Sequence, residues 1–287
     1  MTALARLLPL LAGPRPLIVG IVNCTPDSFF DGGKCLDPGQ AVGHIERLRD
    51  EGADIIDIGG ESTRPGAAAV GVEEELRRVM PVVERLAGRP GGDGLWSIDT
   101  SKPAVMRQAV DAGAVLINDI RALRLPGAIE AAAELNAAVC LMHMQGTPAT
   151  MQAAPHYDNV VAEVAAFLRQ RLAACEAAGI ERRRLLADPG FGFGKSTADN
   201  MQLLAGLPRL ATALGVPLMA GLSRKRSIGE VTGRPLAAER TAGSVAAALV
   251  AVQRGARLVR VHDVAATRDA LRLWAAVEAV ESLKEHA

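Results

Sequence analysis

Residues 185–196 read LLADPGFGFGKS. The first half is a short apolar run that closes on Asp188. The second half ends in Gly194-Lys195-Ser196, as a nucleotide-binding P-loop does. A P-loop requires Gly, four residues, then Gly-Lys-Ser/Thr. Here the first glycine would fall on Pro189, which has no backbone N–H to offer a phosphate. The G-x-G-x-x-G spacing fails as well, because Thr197 stands three residues after Gly194. What is left is an apolar run with an aspartate at its end and a glycine-rich loop behind it.

That unit recurs along the chain. Apolar runs lie at Leu17–Asn23, Ala53–Gly59, Leu95–Thr100, Val115–Ile120, Ala138–Met144, Leu185–Asp188, Pro217–Ser223 and Leu258–Asp263. Helical periodicity fills the gaps between them. Val160, Val164, Leu168, Leu172 and Cys175 step at helical spacing and stop at Gly179, a good C-terminal cap. Val72, Leu76, Val79, Val83 and Leu86 repeat the pattern behind Glu73–Glu75, with Pro81 as a candidate kink. Pro103 suits the first turn of another helix. Eight strands alternating with eight helices imply parallel pairing and right-handed crossovers. The expected fold is α/β, a single (β/α)8 TIM barrel over residues 1–287, with an open doubly wound sheet as the alternative. The runs favour the barrel: they are continuously apolar, as doubly buried strands are, and polar residues gather at their C-terminal ends.

Composition narrows the function. The 287 residues carry 32 basic and 32 acidic side chains, so charge gives no case for nucleic acid or an anionic membrane. Hydrophobic residues make up 49% and aromatics only 3%, so the core must be aliphatic. Cys24, Cys35, Cys140 and Cys175 form no C-x-x-C pair, which points to reduced thiols and a cytoplasmic protein. The opening MTALARLLPLLAGPRP is too short in its apolar run, and interrupted by Pro9, to read as a leader. No apolar stretch approaches a membrane span.

Barrel chemistry sits at the C-terminal ends of the strands. In order these ends present Asn23, Asp57, Asp99, Asn118, His143, Asp188, Ser223 with Lys225, and Arg260 with His262. Residues two apart on a strand share a face, which pairs Arg260 with His262 and Ser97 with Asp99. Asp99, Asn118 and Asp188 are mainly acceptors. With Lys225 nearby they suit a flat heterocycle bearing amino and N–H edges and a carbonyl. Arg260 and His262 lie beside Asn23 once the barrel closes, and form a cationic corner fit for an anion. Asp57, followed by Ile58-Gly59, reads as filling for the barrel interior. His143, between two methionines, reads as a packed histidine, and Arg182–Arg184 as a solvated face.

Taken together, the motifs resemble one family, the dihydropteroate synthases. The resemblance rests on NCTPDSFFDGG, DIGGESTRPG, SIDTSKP, NDI, LMHMQGTP, DPGFGFGK, GLSRKR and VRVHDV, in that order from about residue 17 to 265. It implies a pterin-binding barrel that joins p-aminobenzoate to 6-hydroxymethyl-7,8-dihydropterin diphosphate with Mg²⁺, releasing diphosphate. By this resemblance Asp99, Asn118, Asp188 and Lys225 would hold the pterin, and Asn23 would ligate Mg²⁺. Thr63, Arg260 and His262 would contact the diphosphate. Phe29, Arg64 and Pro65 would help to form the p-aminobenzoate pocket. Catalysis would fall to Arg260, His262 and Lys225, and the family suggests a homodimer. Arg226 departs from the Ser that some members carry after the lysine, which leaves the p-aminobenzoate contact open.

The apolar positions of the last helix (Leu271, Trp274, Val277 and Val280) suit either a partner or the barrel. Two related functions compete with this reading. A corrinoid methyltransferase using methyltetrahydrofolate would share the Asp and Asn pocket, yet has no need of the anion corner or of the TPDSF and STRPG loops. A non-catalytic pterin-binding paralogue would be favoured by loss of Arg260, His262 or those loops, and all are present. A metal-dependent amidohydrolase would require H-x-H where this chain has Asn23-Cys24.

Overall fold

The computed structural model describes residues 3–25, 38–63, 67–87, 94–148 and 150–284. Its strands are β1 (Leu17–Asn23), β2 (Ile55–Gly59), β3 (Leu95–Asp99), β4 (Leu116–Asp119), β5 (Ala138–Met142), β6 (Leu185–Asp188), β7 (Leu218–Ala220) and β8 (Ala256–Val261). Before β1 lies α1 (Ala3–Ala12). Between the strands lie α2 (Pro38–Asp50), α3 (Val72–Ala87), α4 (Pro103–Asp111), α5 (Ala128–Glu134) and α6 (Val160–Ala177). The later helices are α7 (Thr197–Ala205), α8 (Leu207–Leu214), α9 (Arg226–Thr232), α10 (Thr241–Gln253) and α11 (Val264–Lys284). All strands pair in parallel in chain order, and β8 returns to β1. The eight apolar runs therefore close into a (β/α)8 barrel, not an open sheet.

Strand alternation sorts the core into two layers. Leu17, Val19, Ile55, Leu95, Leu116, Cys140, Leu186, Met219 and Leu258 fill the barrel interior. Their strand neighbours, such as Ile18, Val22, Ile56, Ile98, Ile117 and Leu141, face outward under the helices. The opening segment acts as a plug, because Leu4, Leu7 and Leu11 of α1 pack onto the interior layer from below. Arg257 of β8 fastens this plug by donating to the carbonyls of Leu10 (2.8 Å) and Leu11 (3.1 Å) at the helix C-terminus.

The helices outnumber the eight expected, among the described residues. The sixth crossover is split into α7 and α8 because Gly206 and Pro208 interrupt it, and a Cβ at Gly206 would come within 2.6 Å of Val161 on α6. The seventh crossover holds α9 and α10. Pro81 lies inside α3 without ending it. Arg184 corrects the reading of Arg182–Arg184 as a solvated face. It is buried and donates to the carbonyls of Ala132 (3.1 Å), Leu135 (2.5 Å) and Ala137 (2.8 Å), ahead of β6. Cys24, Cys140 and Cys175 are buried and form no disulfide, and Cys35 lies outside the described residues.

Candidate active site

Parallel register decides which side chains share the barrel mouth. Asp57 stands beside Ser97, Gly59 beside Asp99, Asp99 beside Asn118, and Met142 beside Asp188. Asp57 lies two residues before the end of β2 and is 1% exposed. An ionised carboxylate that deep needs donors on its lone pairs. It has three: Ser97 Oγ at 2.5 Å, Asn118 Nδ2 at 3.0 Å and Arg260 Nε at 2.6 Å. The same guanidinium reaches Asp99 Oδ2 through Nη2 at 2.8 Å. Burial opposes the Arg260 charge, and Asp57 and Asp99 overcome it, holding the pKa above its ordinary value. Burial pushes the Asp99 carboxyl upward against Arg260, with Asp57 adding to the rise.

Asp188 and Lys225 complete the other side. A Cβ built on Gly221 would lie 3.8 Å from Asp188 Oδ2, 3.8 Å from Lys225 Nζ and 3.9 Å from Arg260 Cβ, so these side chains surround one point. Asp188 Oδ1 accepts from the Gly190 amide at 2.7 Å. Lys225 donates to the Phe191 carbonyl and sits 4.6 Å above the Phe193 ring. Burial raises the Asp188 pKa, and Lys225 opposes it. Burial lowers Lys225 to about 8, and Asp188 pulls the other way.

Asn118 and Arg260 thus meet on Asp57, Arg260 carries the link on to Asp99, and Asp188, Lys225 and Arg260 meet around Gly221. His262 stands next to this group. Ser223 Oγ accepts from its backbone N–H at 3.1 Å and lies 3.0 Å from Nδ1. Asn23 ends β1 opposite Gly59, half-buried. Thr63 is half-buried in the loop after β2. Phe29, Arg64 and Pro65 lie outside the described residues.

Sequence reasoning missed three supports. Asp57, read as interior filling, is the hub of the mouth. Arg224 and Asp263 flank Lys225 and His262 and join their loops by a two-pronged ion pair (Nε–Oδ2 3.0 Å, Nη2–Oδ1 2.6 Å). Their position next to chemically suited residues in SRKR and VHDV was the available signal. Lys195, the lysine of the false P-loop, is 3% exposed. Its Nζ lies 2.9 Å from His143 Nδ1, and it donates to the carbonyls of Gly190 (2.8 Å) and Phe193 (3.1 Å). Burial lowers Lys195 to about 7, against a pull from Asp188.

The glycines beside Lys195 answer to packing. A Cβ at Gly190 would fall 1.8 Å from the His143 carbonyl oxygen, and one at Gly194 would fall 2.6 Å from that of Gln145. Both also have positive φ, 71° and 63°. Arg226 is exposed and pairs with Glu230 at 2.5 Å on the surface of α9.

Known proteins resemble the chain over most of its length. A family model described as pterin binding enzyme matches residues 19–262. The dihydropteroate synthase of Haemophilus influenzae is 53% identical over 91% of this chain and 94% of its own length. That of Escherichia coli is 52% identical over 95% and 94%. The structure of Xanthomonas albilineans dihydropteroate synthase with 4-aminobenzoic acid aligns at TM-score 0.86 and 64% identity, covering 92% of this chain and 94% of that one. The same organism's enzyme in complex with 7,8-dihydropteroate aligns at 0.84 and 60%, covering 94% and 98%.

Burial and the Lys195 charge hold His143 at about 3, below its ordinary 6.5. The unfolded chain therefore binds a proton that the folded chain refuses between those values. The stability that comes from keeping His143 neutral is complete above pH 6.5 and is lost as pH falls toward 3, by at most about 1.4 kcal/mol per pH unit. Urea midpoints measured from pH 7 to 4 should fall more steeply for the wild type than for His143→Gln, which keeps an acceptor and cannot charge. Parallel curves would remove His143 from the account.

Proposed function

The chain belongs to the dihydropteroate synthases of the pterin-binding family, and from that premise we propose how its barrel mouth works. It condenses 6-hydroxymethyl-7,8-dihydropterin diphosphate with p-aminobenzoate to give 7,8-dihydropteroate and diphosphate. One observation supports this assignment of roles: the acceptors Asp99, Asn118 and Asp188 and the cations Lys225 and Arg260 gather at the barrel mouth, with Arg260 common to both groups. Asp188 and Asn118 suit the amino and N–H edge of the pterin, and Lys225 suits its carbonyl. Burial makes each unmet partner cost about 1–3 kcal/mol, which gives the site its selectivity for such a ring.

The carbon–oxygen bond to diphosphate breaks with its electron pair leaving on oxygen. The arylamine nitrogen then forms the new carbon–nitrogen bond and loses its proton to solvent. An arylamine is a weak nucleophile, so departure of the diphosphate leads. Positive charge then grows on the pterin methylene and spreads into the electron-rich ring. Carboxyl oxygens of Asp57 and Asp188 stand at this side of the mouth and favour a cation developing beside them. Arg260 is already shared by two carboxylates, and its charge is partly offset before substrate arrives. His262 and Thr63 are the further donors we assign to the diphosphate.

The donor set suits Mg²⁺ brought in on the diphosphate. This ion keeps several waters and takes few protein oxygens besides phosphate. Among the described residues no three His, Cys, Asp or Glu side chains cluster to cage a metal, and Asn23, at the end of β1, is the protein ligand we assign to the ion. When bound, the ion neutralises charge growing on the leaving group. Phe29, Arg64 and Pro65 are assigned to the p-aminobenzoate side. Among the described residues no helix is long and apolar enough to cross a membrane. We place the enzyme in the cytoplasm, in keeping with its buried thiols, which form no disulfide among the described residues.

We also assign a homodimer. Leu271 and Trp274 of α11 face the barrel, whereas Leu273, Val277 and Val280 form an apolar stripe at helical spacing, 71%, 51% and 54% exposed. Light scattering should give twice the chain mass, falling to the monomer in Val277→Glu. A wild-type monomer would refute this interface.

The activity is tested by supplying both substrates with Mg²⁺ and resolving dihydropteroate by chromatography. The wild type should form product at least about 100-fold faster than Asp188→Ala, in line with loss of a buried charged partner. Product no greater than in that variant would overturn the assignment.

A further inference from the structure

The lysine of the P-loop-like GKS sequence has no part in the chemistry above, yet it is among the most buried charged groups of the barrel. It closes a turn on itself. From its place at the end of the loop, Lys195 Nζ reaches back to the carbonyls of Gly190 and Phe193, while His143 from the loop after β5 takes the third contact. The carbonyls on either side are also engaged: Phe191 by Lys225, Gly192 by Gln152 Nε2 at 2.7 Å, and Gly194 by Tyr157 Oη at 2.7 Å. The Gly192 amide donates to Asn200 Oδ1 at 2.7 Å.

This backbone touches two charged groups of the barrel mouth. The Gly190 amide donates to Asp188 Oδ1, and the Phe191 carbonyl receives Lys225. A Cβ at Gly192 would approach Lys225 Cδ to 3.1 Å, so the loop also bounds the path of that side chain. A backbone bond from the Phe193 N–H to the Gly190 carbonyl (3.1 Å) closes the turn, and Lys195 adds a side-chain bridge from the carbonyls of both residues to His143. His143 locks it there through a contact between buried groups, with the His143 ring set edge-on to Phe167 at 5.0 Å.

We propose that Lys195 is a positioning residue for the pterin subsite: by bridging Gly190, Phe193 and His143 it fixes the backbone that orients Asp188 and Lys225. It does not touch substrate. The inference rests on the reading of Asp188 and Lys225 as pterin-holding groups.

The test pairs Lys195→Met with Tyr157→Phe, which loosens the same loop at Gly194, away from Asp188 and Lys225. Affinity for a diphosphate-free pterin is measured by calorimetry well below the unfolding temperature, and KM is measured for each substrate. Lys195→Met should weaken pterin binding and raise the KM for dihydropterin diphosphate about 10-fold, with the KM for p-aminobenzoate within about 2-fold. Tyr157→Phe should leave pterin affinity within about 2-fold. A Lys195→Met protein that melts earlier but binds pterin as the wild type does would show a purely structural lysine and overturn the proposal. Equal losses in the two variants would also overturn it. If Lys195→Met does not fold, Lys195→Gln, which keeps two donors, is expected to lose about 3-fold, and unchanged affinity there counts against the proposal. A wild type that makes no dihydropteroate would instead strike at the function itself, so the two failures are distinguishable.

Discussion

The barrel mouth depends on how one buried carboxylate is satisfied. Asp57 lies below the rim with almost no access to water. Its charge is tolerable there only because Ser97, Asn118 and Arg260 fill its lone pairs. Those three donors come from β3, β4 and β8, so satisfying Asp57 draws distant parts of the chain onto one point. Arg260 then spans to Asp99 and carries the constraint up to the rim. Asn118 has one amide hydrogen committed below, which fixes the orientation of its remaining polar edge.

Electrostatics on the opposite side follow a related rule. Asp188 is buried and Lys225 half-buried beside it, and each opposes the shift that burial imposes on the other. Neither is anchored chiefly by the other. The loop behind β6 supplies an amide to the acid and a carbonyl to the base. The loop can do so only because glycine at 190 and 194 lets the chain pass against the backbone of the preceding loop. Arg224 and Asp263 brace Lys225 and His262 in a comparable way from outside.

Much of this was legible in the sequence. Eight doubly apolar runs ending in polar residues specify a parallel closed sheet, and Asp99, Asn118, Asp188, Lys225 and Arg260 could be picked out as strand-end groups. Asp57 was underrated because it lies two residues before the strand end, where a side chain points inward but below the rim. Its meaning depends on partners from three other strands, which no local pattern reveals. Arg184 and Lys195 were hidden for a similar reason: their acceptors are backbone carbonyls, and carbonyls carry no sequence signal. The plug formed by α1 escaped notice because its leucines match a surface built from distant strand residues. Phe29, Arg64 and Pro65, read from the resemblance alone, lie outside the described residues.

The hub is tested most directly by Asp57→Asn, which keeps the shape and removes the charge. Calorimetric titration with a diphosphate-free pterin, alongside circular dichroism to verify the barrel, measures what that charge organises. The account predicts a folded protein whose pterin affinity falls at least about 10-fold, because Arg260 and Asn118 lose their shared anchor. A folded Asp57→Asn protein that binds pterin as tightly as the wild type would contradict it.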